Sequence, residues 1–159
     1  MSESGRIWDL FQRSYEGNAW HGPALKELLE SVDAGHASAR PVAGGRTIWE
    51  ITDHLSACED VVRRRLLGDA VDETPPERSW PAVKDTSIGA WRRSRQRFEE
   101  RHQALRDALW GFPESRLDDV VPGRDYPFYL MLYGLSQHEL YHAGQIVVLM
   151  QAQGLTPVG

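Results

Sequence analysis

FYLMLYGLSQHELYHAGQIVVLMQAQ, Phe128 to Gln153, is the stretch that decides the fold. Apolar residues cover much of its surface at helical spacing, which predicts a long helix and the most buried one in the molecule. Gly154 and Pro157 are its exit signals. Inside it stands His138-Glu139-Leu140-Tyr141-His142. Two histidines four apart on a helix lie about 40° apart around the axis and about 6 Å along it, so both rings can reach one ion. The string also matches the His-Glu-x-x-His pattern of zinc hydrolases, in which the Glu is a general base. From Ala143 to Gly159, however, there is no His, Asp, Glu or Cys. Zinc proteases of this pattern take their third ligand from downstream. A metal bound here must take its third ligand from upstream.

Working back towards the N-terminus, three more helical segments precede this one. The first is interrupted: Ile7, Leu10, Phe11 and Ser14 give a short face, Gly17-Asn18 breaks it, and Pro23 suits the first turn of a piece carrying Leu25, Leu28, Leu29 and Val32. Gly35 to Arg46, with Pro41 and Gly44-Gly45, reads as loop. Thr47 and Glu50 have capping-box spacing before Ile51, Leu55, Cys58, Val61 and Val62, and Gly68 ends that helix. An acidic, proline-containing loop follows from Asp69 to about Pro81. The third helix runs from about Thr86 to Trp110, with Ile88, Trp91, Arg95, Phe98, His102, Leu105 and Leu109 facing inward, and Gly111 and Pro113 stop it. Glu114 to Pro127 reads as turn. No strand alternation and no internal repeat appears. Residues 1–159 therefore read as one all-α domain, an antiparallel four-helix bundle.

Composition excludes several classes of function. Eighteen basic and twenty-three acidic residues leave a net charge of -5, and there is no basic run of the kind that binds nucleic acid. Met1 to Gly22 carries charges throughout and has no apolar core, so it does not read as a signal peptide. Ile146 to Met150 is too short to span a bilayer. The single cysteine, Cys58, excludes an internal disulfide and fits a reducing compartment. A cytoplasmic protein with no nucleic-acid or membrane partner is expected.

Bundles build metal sites from inward-projecting side chains on facing helices. Besides His138 and His142 the chain holds His21, His36, His54 and His102. His36 lies in a Gly/Ala/Ser loop. His54 sits mid-helix among Ile51, Leu55, Cys58 and Val61, where an unpaired imidazole is costly to bury, and it is the best third ligand. Three neutral imidazoles with an open fourth position suit a catalytic site rather than a structural one.

In this order, the residues resemble the DinB-like family over nearly the whole chain. The marks are Tyr15-Glu16-Gly17, Trp20-His21-Gly22-Pro23-Ala24-Leu25, Thr47-Ile48-Trp49-Glu50 leading to His54, and His138 through Ile146, closing at Gly154. The resemblance implies a four-helix bundle holding a divalent metal, often zinc or nickel, on His54, His138 and His142. It also implies a homodimer, for which Trp80 and Trp110 are candidate contact residues. Family members with known activity include thiol-dependent S-transferases that use low-molecular-weight thiols, and an isomerase. A small-molecule substrate and a thiol co-substrate are therefore expected.

Other residues have a functional reading beside a plain one. Glu139 could take a proton from a water activated by the metal, or face a neighbouring helix. Glu50 could orient His54, although its capping-box spacing explains it equally well. Trp20 and His21 could close a loop over the metal and line its pocket, and Gln145 could hold a ligand histidine from the next turn. Gly134 removes bulk beside His138. Cys58 reads as a core filler, and His102 as a locally bonded core residue. Arg46, Arg92 or Arg124 could receive the carboxylates of a thiol substrate. A hydrolase and a non-catalytic metal-binding or ligand-sensing module are the other two functional readings.

Overall fold

The computed structural model describes residues 2–71 and 76–157. The first helix, α1 (Glu3–Glu16), starts where the Ser2 hydroxyl accepts the Gly5 N–H at 3.1 Å, and it buries Ile7, Phe11, Ser14 and Tyr15 along one stripe. It ends at Gly17 and Asn18, whose φ values of 144° and 58° turn the chain out of the helix. The next helix, α2 (Leu25–Glu30), begins two residues after Pro23, the residue expected in its first turn. Pro23 lies outside it, and the Ala24 N–H donates to Glu27 Oε2 at 2.7 Å.

The segment read as loop from Gly35 contains a short helix, α3 (Ala34–Ser38), nucleated by Asp33, whose carboxylate accepts the His36 N–H. Periodicity cannot reveal a helix of one turn. α4 (Ile48–Leu66) has the expected capping box: Thr47 Oγ1 accepts from Glu50 N at 3.0 Å and Glu50 Oε2 accepts from Thr47 N at 2.8 Å. Of the acidic loop, residues 72–75 lie outside the described residues, and a one-turn helix, α5 (Pro76–Ser79), follows. α6 (Ile88–Trp110) starts at a Ser87 cap. Ile88, expected inward, is 65% exposed, and the buried face of α6 begins at Trp91. After a 3-10 turn at Glu114–Arg116, α7 (Phe128–Gln151) is tethered at its start by Phe128 N–H to Asp119 O and Tyr129 N–H to Leu117 O.

The four long helices, α1, α4, α6 and α7, form a helical bundle, with no strand among the described residues. Their directions are not those of a simple antiparallel array. Side-chain pairs between α4 and α6 advance together, Asp53 with Ser94, Ser56 with Arg101 and Glu59 with His102, so these two helices run parallel. Pairs between α1 and α6 run oppositely, Trp8 with Trp110 and Tyr15 with Phe98. The start of α4 shares an apolar cluster with the end of α7, and the end of α4 with the start of α7, so that pair is antiparallel. The order is up-down-down-up. Residues 67–87 are long enough to return the chain along the bundle before α6 begins.

Two apolar clusters fill the ends of the bundle. One holds Ile48, Leu55, Phe98 and Ile146; the other holds Phe11, Val62, Leu105 and Leu132. Between them lies a belt of buried polar side chains: Ser14 in the last turn of α1, His54 and Glu59 on α4, His102 on α6, and Glu139 and His142 on α7. Buried groups of this kind need partners, and they supply the chemistry of the molecule.

Candidate metal centre

α4 presents His54 and α7 presents His138 and His142, and the three rings meet. His138 Nε2 lies 3.1 Å from His54 Nε2 and 3.1 Å from His142 Nε2. The far side of two rings fixes their tautomers. His54 Nδ1 donates to the Ser79 carbonyl at 2.6 Å, and His142 Nδ1 donates to Gln145 Oε1 at 2.7 Å. The amide of Gln145 is oriented by its NH2, which donates to the Tyr141 hydroxyl at 3.1 Å. With the hydrogens on Nδ1, the Nε2 atoms of His54 and His142 carry lone pairs, and both point at His138 Nε2. One N–H on His138 can serve only one of them well. A cation serves all three. Two nitrogens each about 2.0–2.1 Å from one ion and 3.1 Å apart subtend about 95–100° at it, within the range of real coordination spheres. The donor set therefore fits a first-row divalent metal.

Burial favours the uncharged imidazoles that a metal requires. It lowers the pKa of His138 to about 4, with further lowering from His142 and His54. Burial also lowers His54 and His142, against the opposing Ser79 and Gln145 hydrogen bonds. Trp80 stacks flat on His54, with centroids 3.9 Å apart and planes 1° apart, and the Arg46 guanidinium lies 4.4 Å from the indole ring centroid. The strap after α4 thus holds His54 from two sides, by the Ser79 carbonyl and the Trp80 ring.

Beside the histidines opens a cavity of about 550 Å³, with Cys58, Ser79, Tyr126, Gly134 and His138 in its wall. Cys58 Sγ lies 3.7 Å from His54 Nε2, and burial pushes its thiol pKa up to about 11, so it remains protonated. It lines the cavity rather than filling the core. Gly134 also faces this space: a Cβ built there meets nothing within 4 Å.

The two carboxylates read as candidate bases are committed elsewhere. Glu139 follows His138 by about 100° around α7, which turns it away from the histidines into the core, where the Ser14 hydroxyl donates to it at 2.5 Å. Glu50 accepts from Thr47 N–H and from both arms of a contact with Arg40 Nη2 at 3.0 Å. Trp20 and His21 are exposed, and neither touches the histidines among the described residues. Of the arginines, Arg124 lines the cavity, Arg46 covers Trp80 and Arg92 is exposed on α6. The sequence reading did not find Ser79 or Trp80. A backbone carbonyl leaves no signature, and Trp80 lies in a loop whose path periodicity cannot trace.

Fold and site together define a helical-bundle protein with a three-imidazole pocket at mid-height. The sequence model of the DinB superfamily matches residues 19–146, and the chain belongs to that superfamily. No curated protein and no solved structure gives a significant match.

Proposed function

We propose that this protein is a metal-dependent enzyme acting on small molecules, and that it transfers the sulfur of a low-molecular-weight thiol to an electrophilic carbon. The observation that carries the reading is the convergence of oriented imidazole lone pairs beside a cavity large enough for a small substrate. A zinc or nickel ion held by His54, His138 and His142 would supply the Lewis acidity that brings a thiol's pKa down towards neutrality. Ser79 and Gln145 keep the imidazoles in the ligating tautomer. Trp80 shields one face of His54 from water. Gly134 leaves the wall open for the second substrate.

Hydrolysis through activated water is the second reading, and it asks for a proton acceptor near the histidines. Glu139 and Glu50 are the carboxylates it would use, and both are engaged in other contacts. Thiol transfer asks less of a base: a thiol is far more acidic than water and would give up its proton to solvent on binding the ion, after which the thiolate attacks the carbon and the leaving group departs with the bonding pair.

The test uses protein purified with its native metal, a chlorinated dinitrobenzene or an epoxide, and a panel of bacterial thiols. Turnover is expected with at least one thiol and is expected to vanish in His142→Ala while the helical circular dichroism persists. Ester cleavage without any thiol would replace this reading with the hydrolase. No turnover with any substrate, together with a large fall in melting temperature on chelation, would replace it with a non-catalytic metal module.

A further inference from the structure

A second convergence of ligand-type side chains lies deeper in the polar belt. Glu59 on α4, His102 on α6 and Glu139 on α7 place their donor atoms within 4.8 Å of one another. Glu59 and Glu139 are 0% exposed and His102 is 1% exposed. His102 Nδ1 is 2.9 Å from Glu59 Oε1, and Ser14 on α1 reaches Glu139 Oε2. Glu59 Oε2, Glu139 Oε1 and His102 Nε2 have no partner while both carboxyls are ionised; the two carboxyl groups lie within reach of each other, and a proton on either one would bridge them.

Two buried carboxyls side by side need either a shared proton or a positive charge between them. The guanidiniums of Arg101 and Arg106, whose charges act on this cluster, are engaged in other contacts: Arg101 Nη1 bonds Ser56, and Arg106 Nη1 pairs with Glu16. Nor does His102 supply the charge: burial lowers its pKa to about 3, with Arg106 and Lys26 lowering it further, in a range where the neighbouring carboxyls are themselves protonated. Its ring, stacked on Tyr15 at 3.8 Å and on Phe11 at 4.5 Å, is therefore neutral and available as a donor. A dication balances the two carboxylate charges and uses the orphaned oxygens. One imidazole with two carboxylates is also the kind of inward-facing set with which helical bundles hold first-row metals.

We propose that Glu59, His102 and Glu139 bind a divalent first-row cation such as Mn²⁺, Fe²⁺ or Zn²⁺, a second metal site sealed in the bundle core. The ion ties α4, α6 and α7 directly and α1 through Ser14. Because Glu139 follows His138, it also sets the rotation of α7 that aims His138 and His142. No residue of the set reaches solvent, so the ion enters as the chain folds, and a chelator strips the three-histidine site first.

The experiment counts metal per chain by mass spectrometry after the protein is produced, or refolded, in Mn²⁺ or Zn²⁺ and desalted. Two equivalents are expected in the wild type, one in folded His142→Ala, and one in Glu59→Gln and in Glu139→Gln. One equivalent that survives His142→Ala and is lost in Glu59→Gln would support this site and sink the three-histidine reading. Folded His142→Ala with no metal, or Glu59→Gln and Glu139→Gln with the wild-type count, would overturn the proposal in favour of a proton shared between the carboxyls. If either glutamine variant fails to fold, the His142→Ala count decides.

Discussion

His142 is held by Gln145 through a single 2.7 Å hydrogen bond, and that bond determines which ring nitrogen faces the other histidines. Removing it leaves the ring free to flip its tautomer. Gln145→Leu is expected to weaken metal affinity about 10- to 100-fold, the usual cost of losing an outer partner of a ligand histidine. Competition against a chromophoric chelator would show it, and unchanged affinity would contradict the assigned tautomer. Gly134 makes the converse case, a residue whose lack of side chain matters. Its helical backbone and open surroundings allow a Cβ without clash. Gly134→Ala should therefore raise stability by about 0.5–1 kcal/mol in urea unfolding. Gly134→Phe should keep the metal and block turnover. If Gly134→Phe retained full turnover, the substrate would not use this cavity.

At the scale of the element, α4 depends on its start. Burial raises the pKa of the Glu50 carboxyl, but the Thr47 N–H and the Arg40 and Arg46 guanidiniums outweigh it and leave the value below the ordinary 4.5. The folded chain thus holds fewer protons on this group than the unfolded chain. The stability Glu50 contributes is complete above pH 4.5 and is lost as pH falls through the folded value. Glu50→Gln is expected to cost about 1 kcal/mol at pH 7. The gap between variant and wild type should close as the pH is taken well below 4.5. A gap that stays constant down to pH 3 would show that the charge is irrelevant and only the amide-type contact to Thr47 counts. The capping box was legible from Thr47 and Glu50 alone because both partners lie within one turn. α3 and α5 were not legible, since a single turn has no period to detect.

The whole molecule leaves one surface unexplained by the bundle. Leu130, Tyr141 and Val148 are 50%, 64% and 58% exposed and fall on one stripe of α7. The apolar surface of α7 suggests the most buried helix of the molecule, but hydropathy does not distinguish burial within a chain from burial between chains. We expect this stripe to be the contact of a homodimer; Trp80 is half-buried against His54 instead, while Trp110 remains exposed. Light scattering at micromolar concentration should give a dimer, and Leu130→Glu with Val148→Glu a monomer of unchanged helix content. A wild-type monomer would refute the expectation. Among the described helices none is long and apolar enough to cross a membrane.

What could be read from the order of residues was local or periodic: the four long helices, the capping box, and two histidines one turn apart on the same face. These depend on spacings of three and four along one helix, which the chain carries directly. The meeting of His54 with that pair and the approach of Glu139 to Glu59 depend on how α4 and α7 are rotated against each other, and the flat cover of Trp80 depends on where the strap after α4 lies. That rotation results from packing both apolar clusters and the polar belt at once, a condition that no single segment expresses.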